Sequence, residues 1–342
     1  MPYFINVDNF YGTTGSGKTW SLARAAQYYA EKHQKPFRIV ASDTGGSEHI
    51  QSFVTAGIVQ LWNLTKQRKH LIEDMVKLSQ GWWPEDVDDP MAKLIPPGPG
   101  NDLKSISGLG FDSATSMCEM QMEFYVGDVT LAQGAQELNF GGVRPPQVPK
   151  GAYVHDGEFL MRFSGPSDFG GIQNSIVKMI TDSAALGLPK TIWTARETKG
   201  AEQIAPGKDA KGNNITIKRE EVYGPDFIGY ALTAKSGGWF GNQLHFDFVK
   251  VETTEEIDVG GAKTKVKLDR RMPAIFTVRH GDPTGADPLN IPHLAKTRVD
   301  ARLAKRVPAV MQADAYEFYK LLDQLTEEAK KLPTGLLNKE RA

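Results

Sequence analysis

The residues Gly12-Thr13-Thr14-Gly15-Ser16-Gly17-Lys18-Thr19 match the pattern G-x-x-x-x-G-K-[ST] at every fixed position. Each residue type there has a chemical task. Gly12, Gly15 and Gly17 let the backbone curl so that its N–H groups turn inward on phosphate oxygens. A helix opening near Gly17 adds the positive end of its dipole. Lys18 offers an ammonium to the β- and γ-phosphates, and the Thr19 hydroxyl is a magnesium ligand. Trp20 follows directly and closes the stretch assigned to nucleotide binding, Gly12 to Trp20. The ligand this implies is ATP with Mg2+. A plain glycine turn is the competing reading, and the strand-like run before the loop and the helix-like run after it argue against it.

Magnesium needs a carboxylate as well. Asp112 is the candidate, because Leu109-Gly110-Phe111-Asp112-Ser113 looks like a strand ending in acid. The same Asp-Ser before Ala-Thr-Ser would also suit a helix N-cap.

The elements that must position these groups can be read from periodicity. Tyr3 to Val7 is β-rich, and Trp20 to Lys32 carries Leu22, Ala25, Ala26 and Tyr29 at helical spacing. Phe37 to Ala41 and Gly57 to Leu64 read as strands, and Gln67 to Leu78 and Thr115 to Tyr125 as helices. Further on, Ile172 to Ala185 is helical and Thr191 to Ala195 is a buried-looking strand. The stretch from Ile215 to His280 is β-rich, with Gly260-Gly261 as a hairpin turn. Pro308 to Leu332 reads as an amphipathic C-terminal helix. Strands alternating with helices predict an α/β fold with a mostly parallel sheet flanked by helices, a β-rich elaboration in the second half and a C-terminal helix. Residues 1–307 form one domain with insertions at about 81–102, 127–164 and 250–275, and residues 308–342 are the terminal helix and tail.

Composition bounds the class. The 342 residues are 40% hydrophobic and 24% charged, with a formal net charge of −1. That balance fits a water-soluble domain and gives no global sign of nucleic-acid binding. No apolar run reaches the ~18 residues of a membrane span, and the first ten residues do not read as a secretory signal. A cytoplasmic location follows as an expectation. Cys118 is the sole cysteine, which excludes an intrachain disulfide and a cysteine-cluster metal site; burial as a small apolar residue is its expected role.

The order of motifs resembles the RecA-like P-loop ATPases, and most closely the phage-encoded RecA-like ATP-binding proteins, some of which are single-strand annealing recombinases. The resemblance rests on four short stretches: the phosphate loop, Ser42-Asp43-Thr44-Gly45-Gly46, Asp112-Ser113, and Leu294-Ala295-Lys296-Thr297-Arg298. It implies that Lys296 and Arg298 reach a neighbouring subunit's γ-phosphate, which would make the protein a ring or filament. A solvated strand face is the alternative for that pair. Thr194-Ala195-Arg196-Glu197 resembles the polar end of the sensing strand, so Thr194 and Arg196 are assigned to the γ-phosphate. One departure matters. Gly45 stands where the family has a water-polarising Glu. Glu48 and, behind it, Asp43 are the substitutes.

The implied function is magnesium-dependent ATP binding and hydrolysis in DNA handling, by recombination or single-strand annealing. Single-stranded DNA, further copies of the chain and phage proteins are the implied partners. The alternative is a phage structural or assembly component, located in the virion, that keeps the fold and turns over slowly or not at all. Metabolic kinase activity ranks third, because no lid or acceptor pocket is legible. Trp62, Trp82, Trp83, Trp193 and Trp239 could stack on bases, with core or loop anchoring as the commoner use. Lys263, Lys265 and Lys267 alternate and, with Arg270 and Arg271, could form a basic ridge on a hairpin or a solvated face. The histidines, among them His245, His280 and His293, show no metal-ligand spacing.

Overall fold

The computed structural model describes residues 6–42, 47–122, 152–155, 159–162, 166–203, 219–227, 236, 239–259, 262–277 and 294–332. Its first strand, β1, is Val7–Gly12, and all six residues are buried. Most of the expected strand Tyr3 to Val7 lies outside the described residues, and the described strand starts at its last residue. The sequence VDNFYG carries Asp8 and Asn9 inside a strand, where such residues are depleted. Asp8 is tolerated because it has charged and polar partners; the Asn9 side-chain amide is buried without a hydrogen bond among the described residues.

The remaining strands are β2 (Phe37–Ala41), β3 (Val59–Asn63), β4 (Trp83–Pro84), β5 (Leu94–Ile95), β6 (Gly108–Asp112), β7 (Ala152–His155), β8 (Phe159–Arg162), β9 (Thr191–Gln203), β10 (Arg219–Pro225), β11 (Gln243–Val259), β12 (Ala262–Phe276) and β13 (Val310–Gln312). The main sheet runs β13-β12-β11-β1-β9-β6-β2-β3, with β10 paired to β9. From β11 to β3 every neighbour is parallel. The flanking strands β12, β13 and β10 are antiparallel. This is the RecA-like α/β fold expected: a mostly parallel sheet with a β-rich second half. One strand, β9, separates the phosphate-loop strand β1 from β6, which ends in Asp112.

Helices cover both faces. They are α1 (Lys18–His33), α2 (Gln51–Thr55), α3 (Leu71–Ser79), α4 (residues 114–122), α5 (Pro166–Ala185) and α6 (Ala315–Lys331). Leu22, Ala25 and Ala26 of α1 and Phe318 and Tyr319 of α6 pack with Phe10 and Phe246 in one core. Met75 of α3, Met117 of α4 and Ile176 of α5 pack with Tyr11, Phe111 and Trp193 in the other. Trp193 stacks on Phe111, with ring centroids 4.0 Å apart. Cys118 is buried in this second core, and burial pushes its thiol pKa up, as an inert packing residue requires.

The C-terminal helix starts later than the periodicity suggests. Residues Val310–Gln312 add a strand to the sheet edge, and α6 begins after Asp314, whose carboxylate accepts from the Tyr316 N–H. The proline- and acid-rich stretch at 81–102 is a small ribbon of β4 and β5 on the body. Trp83 is buried there under the Arg38 guanidinium, 4.7 Å from the ring centroid, and the Trp62 indole donates to the Asp89 carbonyl at 3.1 Å. Trp62, Trp83, Trp193 and Trp239 are thus buried and Trp82 is partly buried, all in packing positions. Within the expected insertion at 127–164, only β7 and β8 are described. The expected insertion at 250–275 is the β11–β12 hairpin; its turn, Gly260-Gly261, lies outside the described residues.

An ion pair ties the layers together beneath β1. The buried Asp8 carboxylate accepts from Lys190 Nζ at 2.8 Å, from Tyr319 OH at 2.6 Å, and from the Asn242 backbone and side-chain amides at 2.8 and 3.0 Å. Burial, then the negative Asp8, raise the Tyr319 pKa well above the usual 10, and the same causes raise that of Tyr29. A raised pKa means that the folded state holds these protons more tightly than the unfolded chain. The stability this contributes is complete below about pH 10 and is lost as pH rises beyond it. Thermal melting should therefore be level from pH 7 to 9 and fall steeply above about pH 10, with a shallower fall in Tyr319→Phe. Melting curves across that range, followed by circular dichroism, check this.

Candidate functional site

The phosphate loop crosses from β1 to α1 at the carboxyl end of the parallel strands, where α/β sheets place ligands. Its first glycine has a steric reason to be there. A Cβ on Gly12 would lie 1.8 Å from the Phe246 carbonyl oxygen of the neighbouring strand. Gly17 sits just before α1 with φ of 89°, a left-handed conformation that glycine takes without strain. No side chain caps α1 and no acidic residue occupies its first turn. Its leading N–H groups therefore face the loop, a natural seat for an anion.

The side chains around the loop converge. Thr19 Oγ1 donates to Asp112 Oδ2 at 2.8 Å, and the buried Thr194 hydroxyl donates to Asp112 Oδ1. Lys18 Nζ donates to the carbonyls of Gly12 at 2.9 Å and Thr13 at 2.6 Å. Ser16 is buried, and its hydroxyl bonds back to the Thr13 carbonyl at 2.7 Å, bracing the curl. Thr13 Oγ1 donates to Asp247 at 3.3 Å. Ser42, at the end of β2, bonds to the backbone of Asp112 and Ser113 and fixes where β6 passes into α4.

A cavity of about 590 Å³ opens over the loop. Thr14, Gly15, Gly17, Lys18 and Thr19 form its floor, and Trp20, His49, Asp112, Ser113 and Arg196 its walls. Trp20 is 44% exposed and meets Phe53 edge-on, with centroids 5.4 Å apart. The oxygen donors of Thr19 and Asp112 suit magnesium, which takes few protein ligands and completes its shell with phosphate oxygens and water. No group of three or more His, Cys, Asp or Glu among the described residues could hold a metal ion.

Other assigned residues fall elsewhere. Glu48 is exposed and does not line the cavity; in the 3-10 turn Ser47–His49 it is His49 that does. Nothing in the sequence singled out His49, because its place depends on that turn. Asp43 lies outside the described residues. Lys296 bridges to Gln243 at the opening of β11, the end of the strand away from the phosphate loop, and the Arg298 N–H donates to Asn242 Oδ1. Burial, and then Arg298, push the Lys296 pKa down. Neither residue lines the cavity of its own chain. In the β11–β12 hairpin Lys263 stands opposite Asp258 and Lys265 opposite Glu256 in register. Lys267 stands opposite Thr254, and Arg270 and Arg271 are exposed further down the same strand.

Thr194 has a more specific task than the sequence suggests. Its hydroxyl holds the Asp112 carboxylate by the oxygen that Thr19 does not take. Thr194→Val keeps the shape and removes the donor, so Asp112 keeps one of its two bonds. A hydrogen bond to a charged group is worth about 1.5–3 kcal/mol. The magnesium concentration giving half-maximal nucleotide binding should rise about tenfold or more, with the fold retained; a magnesium titration of the variant beside the wild type checks it.

Fold and loop together define an α/β protein with a phosphate-loop sequence between its first strand and first helix. No protein-family model matches the sequence, and no curated protein matches it. Among solved structures the chain is similar to the KaiC-like protein PH0186 of the hyperthermophilic archaeon Pyrococcus horikoshii OT3, at 12% identity and a TM-score of 0.34, over 81% of this chain and 86% of that one. No helix among the described residues is long and apolar enough to cross a membrane.

Proposed function

We propose that this protein binds ATP with magnesium at the phosphate loop and hydrolyses it. The observation that carries the reading is the meeting of Lys18, Thr19 and Asp112 over a cavity floored by the loop. Lys18 now bonds to loop carbonyls and is placed to exchange them for phosphate oxygens. The loop amides and the start of α1 hold the β-phosphate, while Thr19 and Asp112 hold the metal. Magnesium, when bound, neutralises charge between the β- and γ-phosphates. Arg196, on the cavity wall, stabilises charge on the γ-phosphoryl oxygens.

The use made of this chemistry is DNA handling of the phage type, in recombination or single-strand annealing. Resemblance of the four motifs supports that step. The β9–β10 and β11–β12 ribbons, which continue beyond the end of β1, offer surface beside the loop. Lys296 and Arg298, lying outside their own cavity, suit a role across a subunit boundary in a ring or filament. A second reading is favoured by the outward position of Glu48: an assembly component that binds nucleotide and turns it over slowly.

Magnesium-dependent ATP turnover with and without single-stranded DNA, at two salt concentrations, separates the two. Turnover stimulated by DNA, with the stimulation lost steeply at higher salt, supports DNA handling. Bound ATP with no turnover under either condition would move the reading to the assembly component.

A further inference from the structure

Hydrolysis requires a group within hydrogen-bond reach of the attacking water to take its proton. Asp112 is committed on both oxygens to Thr19 and Thr194, and Glu48 stands outside the cleft. A second cavity of about 370 Å³ adjoins the phosphate cleft, and Thr14 and Arg196 are walls of both. Its other walls include Ser42, Ser116 and Glu119. Glu119 lies on α4, which leaves directly from the Asp112 strand end, and it lines this second cavity together with Thr14 of the loop.

The Glu119 carboxylate is paired with the Arg196 guanidinium. Arg196 is rooted in the backbone: its N–H donates to Thr115 Oγ1 at 2.9 Å, and its carbonyl accepts from the Asp226 N–H at 2.7 Å. The root is fixed while the side chain is free to turn. Both side chains are nearly half exposed, 44% and 49%, so the pair is weakly held. A triphosphate carries more negative charge than one carboxylate and competes well for the guanidinium.

We propose that Glu119 is the general base of hydrolysis, released when Arg196 exchanges it for the γ-phosphate. This rests on the ATP reading above. In the step, the water oxygen bonds to the γ-phosphorus as the bond from that phosphorus to the bridging oxygen breaks. The electron pair leaves on the β-phosphate of ADP, and the water proton goes to the Glu119 carboxylate. The ion pair thus keeps the base occupied until a γ-phosphate is present.

The test measures melting temperature, binding of a fluorescent ATP analogue and single-turnover hydrolysis of ATP for the wild type, Glu119→Gln and Glu119→Asp. Glu119→Gln is expected to bind within about threefold of the wild type and to turn over roughly 100-fold more slowly, the usual loss when a general base is removed. Glu119→Asp should keep part of the activity. A merely structural ion pair would also favour Asp over Gln, but its loss would weaken binding and lower the melting temperature along with turnover, whereas loss of a base slows turnover alone. Turnover by Glu119→Gln within threefold of the wild type would overturn the assignment while leaving the ATP reading intact. Absence of binding by the wild type would overturn both.

Discussion

Replacing Lys18 with alanine should lower magnesium-dependent ATP turnover by about 10²–10³-fold, the usual loss when one donor to a developing oxyanion is removed. The reason lies in where its charge can go. Lys18 Nζ now rests on the Gly12 and Thr13 carbonyls, which are neutral acceptors and are given up readily for phosphate oxygens. Loop amides alone would still attract the triphosphate, so binding should weaken less than turnover. The fold should survive, because Lys18 is only partly buried at the mouth of the loop. Turnover and melting temperature measured on the same preparation check both parts. A melting temperature that collapses with the activity would mean that the lysine is structural.

The second large effect is on stability. Lys190 and Asp8 are 7% and 0% exposed as side chains, and the ion pair between them measures 2.8 Å. Replacing Lys190 with methionine keeps much of the side-chain volume and removes the charge. Asp8 would then be buried with Tyr319 and Asn242 as neutral partners. Breaking one side of a buried pair costs about 3–5 kcal/mol. Urea unfolding should show that loss as a lower midpoint with an unchanged slope. Lys190→Met together with Asp8→Asn should recover part of it, because the second change removes the stranded charge. If the double variant is no better than the single one, the loss came from packing.

Much of the fold was legible because its signals are local. The loop pattern, the apolar runs of β2 and β6, and the periodicity of α1 each announce an element without reference to the rest of the chain. The misses share a cause. β1 is hidden by Asp8 and Asn9; Asp8 makes sense in a central strand only once Lys190, Asn242 and Tyr319, all distant in sequence, are beside it. The start of α6 was placed too early because Val310–Gln312 is an edge strand paired to β12, a contact that periodicity cannot show. The acid-rich segment at 81–102, expected as an insertion, is exposed from Glu85 to Met91 and still packs on the body. Arg68 holds it down, donating to the Pro90 and Ala92 carbonyls at 2.9 and 3.0 Å.

The candidate site divides in the same way. Lys18, Thr19 and Asp112 were found from spacing and strand ends, since loop and strand fix their positions. His49, Glu119 and the pairing of Thr194 with Asp112 depend on how three separate connections return to one point above the sheet. Glu48 against His49 shows the limit well: one residue of difference in a 3-10 turn decides which side chain faces the cleft.

The central claim is that the loop, Thr19 and Asp112 together form a magnesium–ATP site. Isothermal titration of the wild-type protein with a non-hydrolysable ATP analogue, once in magnesium and once in EDTA, tests it most directly. Saturable binding in magnesium that weakens at least tenfold in EDTA is the predicted result. No binding heat in either buffer, or equal affinity in both, would contradict it.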